Sequence, residues 1–308
     1  MTTTGRPLAT IVVPASTSNL GAGFDALGLA LDLMLVVDVL AVVDDGHGEL
    51  RCTFAGSPPH GENLIAAGYA AIGRAVGASA PPSLDVTVRC AIPPGSGLGS
   101  SAAALVAGGR LASLVMPGVD TQRILDVASA IEGHPDNVAA SLNGGLAASL
   151  VEPDGSVRTV SMPWPGNLKL VVATPEMPLA TRTARAVLPA SVSRADAVFN
   201  LQRISVLLGS LSTGRYDLLR AAFADRLHQP HRLSLVPGLD AALQVQAEGL
   251  LGVFLSGAGP SVAAVVLDDG APTISALHAI YSRLDLPTVV RVLDVHQPTA
   301  GVLASAPS

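Results

Sequence analysis

Pro93-Pro94-Gly95-Ser96-Gly97-Leu98-Gly99-Ser100-Ser101-Ala102-Ala103-Ala104 carries the clearest chemistry in the chain. Apolar and polar residues alternate before it (Leu84, Val86, Val88 against Asp85, Thr87, Arg89), the period of a half-buried strand. An Ala-rich helical segment follows, to about Val115. Gly95, Gly97 and Gly99 let the backbone turn tightly and approach a ligand closely. Ser100 and Ser101 open the helix, whose first N–H groups have no partner within it. Those donors and the positive end of the helix dipole suit phosphate oxygens. Two other phosphate loops are excluded. The fingerprint G-x-G-x-x-G would need glycine where Ser100 stands. The loop G-x-x-x-x-G-K-[ST] needs a lysine, and the single lysine of the chain is Lys169. On this stretch alone, a purely structural glycine turn stays open.

Three further stretches combine polar, charged and glycine residues. They are Val13-Pro14-Ala15-Ser16-Thr17-Ser18-Asn19-Leu20-Gly21-Ala22-Gly23-Phe24-Asp25, Glu132-Gly133-His134-Pro135-Asp136-Asn137 and Leu255-Ser256-Gly257-Ala258-Gly259-Pro260-Ser261. Pro93 to Ala103 resembles the P-x-x-x-G-L-G-S-S-A-A loop of the GHMP small-molecule kinases. In order and spacing, the other three resemble the homoserine-kinase branch of that family, and together the four cover nearly the whole chain. Ala140 stands where the branch often has proline, Thr17-Ser18 replaces a commoner Ser-Ala pair, and Ala22 a commoner proline. None of these departures removes a functional side chain.

The resemblance implies phosphoryl transfer from ATP, with Pro94, Gly95, Ser96, Gly97, Leu98, Gly99, Ser100 and Ser101 as the nucleotide cradle. Ser101 Oγ and the Glu132 carboxylate are hard oxygen donors of the kind Mg2+ takes, and the resemblance makes them its ligands. By itself Glu132 reads as a solvated helix-end carboxylate. A negative charge is poorly placed at a helix C-terminus, so a compensating cation is expected beside it.

The acceptor implied is L-homoserine. An amino acid needs a carboxylate for its ammonium and a forked arginine for its carboxylate. Asn19 and Asp25 are expected at the ammonium and hydroxyl end. Arg185, in the T-x-x-A-R segment Thr181-Arg182-Thr183-Ala184-Arg185, and Arg232, in His228-Gln229-Pro230-His231-Arg232, form the expected clamp. Thr181, His134 and Gly259 are further substrate-binding expectations. Asn19, Asp25, Asn137 and Arg185 are the residues expected at the reacting centre. Asn137 occupies the position where the mevalonate-kinase branch has an Asp, and an amide cannot take a proton. A loose transition state asks little of the nucleophile, so positioning can suffice, with Asp136 as the fallback base. Its first-turn position equally suits a helix-start residue. Kinases of another small alcohol or hydroxy amino acid, and a non-catalytic ligand sensor on the same fold, remain alternatives.

The elements that must position these residues follow from periodicity and breakers. Strands are expected over 8–13, 29–43, 50–54, 84–90, 146–151, 168–173, 253–256, 262–267 and 288–295, and a turn at 56–59. Helices are expected over 63–76, from Ser100 to about Val115, over 121–131 with Asp120 or a threonine as cap, from Pro135 to Gly144, and over 182–187, 194–208, 216–227, 239–248 and 275–284. Pro14 to Gly23 reads as a loop. Pro163-Trp164-Pro165-Gly166 is the expected boundary between residues 1–163, an ATP-binding unit, and residues 164–308. The fold class is α+β. The resemblance adds a ribosomal-S5-like N-terminal domain and a ferredoxin-like C-terminal domain, with the site between them.

Composition narrows the class. At 308 residues, with 49% hydrophobic and 14% charged residues, the chain can bury a substantial core. A net charge of −6 and the lack of any basic run argue against nucleic acid or an anionic membrane as partner. Apolar runs are too broken for a membrane span, and Met1 to Pro7 has no signal-peptide pattern. Cys52 and Cys90 lack metal-ligand spacing and read as reduced residues of a cytoplasmic protein. His47, His60, His278 and His296 are isolated and form no zinc pattern. A homodimer is compatible with this composition, and the oligomeric state is left open.

Overall fold

The computed structural model describes residues 6–56 and 61–298. Residues 57–59 of the expected turn, His60 and most of the Met1 to Pro7 stretch lie outside them. Strand β1 (Ala9–Ser18) pairs antiparallel with the long β2 (Leu27–Val43). Pro14 has no N–H to give the ladder, and the register shifts there, from Pro14 opposite Met34 to Ala15 opposite Leu31. The strand therefore survives the proline and continues through Ser18, where the sequence reads as loop. β2 also pairs with β4 (Ser83–Cys90) and β5 (Leu146–Val151). β3 (Leu50–Phe54) joins β4 in parallel, and β6 (Val157–Met162) joins β5 antiparallel, making six strands. β6 is absent from the sequence reading. Its solvent-facing Arg158 and Val160 blur the alternation.

Helices α1 (Leu64–Ala75), α2 (Ser100–Val115), α3 (Thr121–Glu132) and α4 (Asp136–Asn143) complete this unit. Asn63 caps α1 by accepting from the Ile65 and Ala66 N–H groups. Asp120 caps α3 at Arg123 N, 2.7 Å. The small residues Ala102, Ala103, Ala107 and Ala112 are buried along α2, which lets that helix lie close to its neighbours. Every residue of α4 is buried.

The second sheet runs β10-β7-β9-β8, with β7 Leu168–Pro175, β8 Leu250–Leu255, β9 Val262–Leu267 and β10 Thr288–Leu293. All three pairings are antiparallel. Beside it lie α5 (Thr181–Ala186), α6 (Arg194–Thr213), α7 (Leu219–Ala222), α8 (Gln229–Arg232), α9 (Leu239–Leu243) and α10 (Ala271–Arg283). The single helix expected over 216–227 is instead a 3-10 turn, Tyr216–Leu218, followed by α7. Asp225 then stops the helix, because its carboxylate takes the N–H groups of Leu227, His228 and Gln229 and starts α8. α9 stops at Leu243, short of Glu248. Arg220 Nη2 takes the Val245 carbonyl that a longer helix would need for its own ladder. Residues after β10 return to the first sheet, where Val295 bridges Leu31 and Gly145 N donates to His296 O. One apolar cluster spans both sheets, from Val13 and Leu29 to Leu170 and Val265. Among the described residues, no helix is long and apolar enough to cross a membrane.

Candidate active site

The glycine loop leaves β4 and enters α2 through Gly99, which is left-handed (φ 66°) and gives the helix no side-chain cap. A side chain at Gly99 would collide with Ser16 Oγ, and one at Gly97 with the Ser256 carbonyl. Glycine is thus required by space as well as by φ at both positions. The loop is tied to the second glycine-rich stretch. Ser256 Oγ donates to Gly97 O at 2.7 Å, Ser261 N to Ser96 O at 3.1 Å, and Thr17 Oγ1 lies 2.8 Å from Ser256 Oγ.

A cavity of about 530 Å³ opens beside the loop. Leu35, Phe54, Ile65, Val88 and Ile92 give it an apolar wall suited to a flat heterocycle. Pro94, Gly95, Ser96, Gly97, Gly99, Ser100 and Ser101 line its middle. Leu98 does not line it. Its side chain is buried in the core, and its carbonyl accepts from the backbone N–H of the buried Ser16. Asn19, Asp25, Glu132, His134, Asn137, Thr181, Arg185, Arg232 and Gly259 line the same cavity, so the stretches that are distant in sequence converge.

Ser101 Oγ donates to Glu132 Oε1 at 2.5 Å. Among the described residues no Arg, Lys or His lies within salt-bridge distance of Glu132, and the cations that feel its charge, His134 and Arg185, stand further off. A half-buried carboxylate at a helix C-terminus, beside a hydroxyl and without a direct ion pair, is a fitting oxygen donor pair for Mg2+.

At the polar end Arg185 holds Asp25 in a fork, Nη2 to Oδ1 at 2.6 Å and Nη1 to Oδ2 at 3.0 Å. This leaves Arg185 Nε–H and one further N–H on each terminal nitrogen for a ligand. Asn19, Leu20 and Asp25 are left-handed (φ 70°, 43° and 56°), a concentration of backbone strain in one short loop. Asn19 holds that loop. Its Oδ1 accepts from Asp25 N at 3.0 Å and its Nδ2 donates to Gly257 O at 3.0 Å. Arg232 is 1% exposed. Its Nε donates to Ala184 O and its Nη1 to Gly257 O, at 3.0 and 3.1 Å. Burial, and then the Arg185 charge, bring its pKa down to about 10, still cationic at neutral pH.

His134 Nδ1 lies 2.6 Å from Asp136 Oδ1, which also accepts from Asn137 N at 2.7 Å. Burial depresses the His134 pKa, but the hydrogen bond and charge of Asp136 outweigh it and leave the value raised. The Asn137 amide is fully engaged: Oδ1 accepts from Ser16 Oγ at 3.0 Å and Nδ2 donates to Ser18 Oγ at 2.9 Å. Phe24 lies under both arginines, its ring centre 5.5 Å from the Arg185 guanidinium carbon and 5.6 Å from that of Arg232. Neither Phe24 nor the apolar wall is among the site residues read from sequence. Each looks like an ordinary core residue until the fold brings it to the cavity.

Residues 63–145 match the family GHMP kinases N terminal domain, and residues 207–282 match GHMP kinases C terminal. The homoserine kinase of Solibacter usitatus is 44% identical over 256 residues, covering 81% of this chain and 82% of its own. A homoserine kinase of Thermus thermophilus is 41% identical over 280 residues, 88% and 92% of the two chains. The crystal structure of homoserine kinase from Cytophaga hutchinsonii superposes with a TM-score of 0.78 at 26% identity, covering 96% of this chain and 98% of that one. L. major mevalonate kinase, at 15% identity and a TM-score of 0.67, shares the fold. Homoserine kinases at 41–44% identity over most of both chains, together with the two family matches, show that the chain belongs to the homoserine-kinase branch of the GHMP kinases.

Proposed function

We propose that the chain transfers the terminal phosphoryl group of ATP to the side-chain hydroxyl of L-homoserine, giving O-phospho-L-homoserine. The observation that carries this is the convergence of the α2 N-terminus, the Asp25–Arg185 pair and the buried Arg232 on one cavity. In this reading residues 1–163 hold the nucleotide and residues 164–308 supply both arginines. Leu35, Phe54, Ile65, Val88 and Ile92 take the base. The unpaired N–H groups of the loop and of α2 take phosphate oxygens. Ser101 and Glu132 hold Mg2+, which when bound neutralises phosphate charge.

On the acceptor side, the free N–H groups of Arg185 and of Arg232 Nη2 donate to the substrate carboxylate, and Asp25 with Asn19 takes the ammonium and hydroxyl end. An isoprenoid or sugar acceptor would have no use for this set of opposite charges. Asn137 has no capacity for a proton, and Asp136, which also lines the cavity, has its Oδ1 tied to His134 and the Asn137 N–H. In this reading the chain works by orienting the hydroxyl and stabilising spreading charge, and Asp136 is the fallback base. The free thiols of Cys52 and Cys90 support a reducing, cytoplasmic setting. A coupled ADP-release assay across homoserine, serine, threonine, mevalonate and galactose tests the reading. Homoserine is expected to give the highest kcat/KM. A mevalonate or galactose rate above it would refute the assignment.

A further inference from the structure

The stretch His228-Gln229-Pro230-His231-Arg232 contains a residue that the reaction so far leaves unused. His228 is 0% exposed and stands one helical turn before Arg232. Its Nδ1 lies 3.1 Å from Arg232 Nη1 and its Nε2 lies 2.8 Å from the Gly21 carbonyl. Each partner has one role only. A guanidinium donates, so Nδ1 must accept, and a carbonyl accepts, so Nε2 must carry the proton. The ring also stacks on Phe24, with centroids 5.3 Å apart and planes 22° apart. The carboxylate of Asp225 is 3.6 Å from Nε2, and the charges of Arg232 and Asp25 also face the ring. Burial keeps the imidazole pKa low, in agreement with a neutral ring.

Those contacts join two halves of the acceptor end. Gly21 belongs to the strained loop that carries Asn19 and Asp25, and Arg232 is the deepest cation of the cavity. Of the Arg232 partners, the Ala184 and Gly257 carbonyls are backbone, and His228 is a side chain that can be exchanged without moving the chain.

We propose that His228 is a positioning residue for the acceptor: as the neutral Nε2–H tautomer it aims the Arg232 guanidinium, whose Nη2 is left for the acceptor, and sets its distance from the Asn19–Asp25 loop. This rests on the reading of Arg232 as a carboxylate-binding residue. The ring touches neither substrate and acts through Arg232.

Two conservative replacements separate the two ring nitrogens. Asparagine places an acceptor oxygen near the Nδ1 position, and glutamine places a donor near the Nε2 position. For His228→Gln, the KM for homoserine is expected to rise about tenfold with the KM for ATP unchanged, the size of one lost hydrogen bond to a charged group. His228→Asn is expected to bring the homoserine KM back to within about threefold of the original chain. The reverse order, with glutamine normal and asparagine defective, would mean that the ring serves only Gly21, and would overturn the proposal. Equal defects in both variants with equally lowered Tm would mean bulk packing, and normal kinetics in both would mean no role. Either result also overturns it. Should a variant fail to fold, ¹⁵N NMR of the unaltered protein decides. A protonated Nε2 with a bare Nδ1 is expected near neutral pH, and the other tautomer or an imidazolium overturns the proposal. Arg232→Ala is measured alongside. If it leaves the homoserine KM unchanged, the acceptor assignment itself is wrong. If it raises that KM while His228→Gln does not, only the positioning role is wrong.

Discussion

Replacing Arg232 by lysine keeps the charge and removes the fork. In the structure the guanidinium reaches the Ala184 carbonyl, the Gly257 carbonyl and His228 Nδ1 from two different nitrogens, at 3.0, 3.1 and 3.1 Å. A lysine ammonium carries its donors on one atom and cannot serve all three while also facing a ligand. One charge-assisted bond to the substrate carboxylate is worth about 1.5–3 kcal/mol. At about 1.4 kcal/mol per factor of ten, the KM for homoserine should rise about 10- to 150-fold in Arg232→Lys. The KM for ATP should stay within about twofold, because Arg232 contacts none of the glycine-loop residues by hydrogen bond. The buried bonds lost inside the protein cost about 2 kcal/mol or more, so Tm should fall by several degrees. Steady-state kinetics with each substrate varied at saturation of the other, on protein checked for folding by circular dichroism, gives both constants. An equal rise in the two KM values, or a rise only for ATP, would refute the placement of Arg232 at the acceptor.

Four other outcomes follow from the same geometry. Glu132→Gln should cut kcat by more than about tenfold, with a higher Mg2+ requirement and nearly unchanged homoserine binding by calorimetry. Near-original turnover at limiting Mg2+ would contradict the metal assignment. Asp136→Asn should cost less than the roughly 10²–10⁴-fold expected for loss of a true general base, once thermal unfolding shows the variant folded. A folded variant a thousandfold slower with unchanged KM values would make Asp136 the proton acceptor. Phe24→Leu removes the ring beneath both arginines, at about 0.5–1 kcal/mol per cation–π contact, and should raise the homoserine KM several-fold without touching that for ATP. Asp225 is buried, which raises its pKa, but four N–H donors, the Asn200 amide and the backbone of Leu227, His228 and Gln229, outweigh this and hold it below the ordinary carboxylate value of 3.8. Its contribution to stability is therefore present above about pH 4 and lost as pH falls through the depressed value. Asp225→Asn should lower Tm at neutral pH, and the gap to the original chain should narrow on acidification. A gap constant down to pH 3 would contradict this.

The cradle is legible in the sequence because its chemistry is local. Strand, alternate glycines and an Ala-rich helix lie within one continuous stretch, and the same residues turn the chain and line the cavity. The polar site residues are legible through short stretches in which types and spacing combine. What stays hidden depends on contacts made across the fold. Pro14 reads as a strand breaker, yet β2 absorbs it in a register shift. Val157 to Met162 reads as nothing in particular, because a strand at the edge of the six-stranded sheet exposes Arg158 and Val160 alike. The stop after α7 comes from one side chain, Asp225, competing for backbone N–H groups. Phe24 and His228 lie inside short stretches singled out for their neighbours, and their contacts with Arg185 and Arg232 form only when those arginines arrive from the second sheet's helices. Leu98 sits inside the loop by sequence but turns its side chain into the core.

The central claim is that this cavity recognises an amino acid by both of its charges before phosphorylating its hydroxyl. The most direct measurement is kcat/KM for L-homoserine against two analogues: 3-aminopropan-1-ol, which lacks the carboxylate, and 4-hydroxybutanoate, which lacks the ammonium. Each is assayed with the original chain and with Arg232→Ala. Both analogues are expected to fall at least about tenfold below homoserine, one lost charge-assisted bond each. Arg232→Ala is expected to depress homoserine and 4-hydroxybutanoate while leaving 3-aminopropan-1-ol nearly unaffected. Equal turnover of all three alcohols, or an Arg232→Ala loss as large for 3-aminopropan-1-ol as for homoserine, would contradict it.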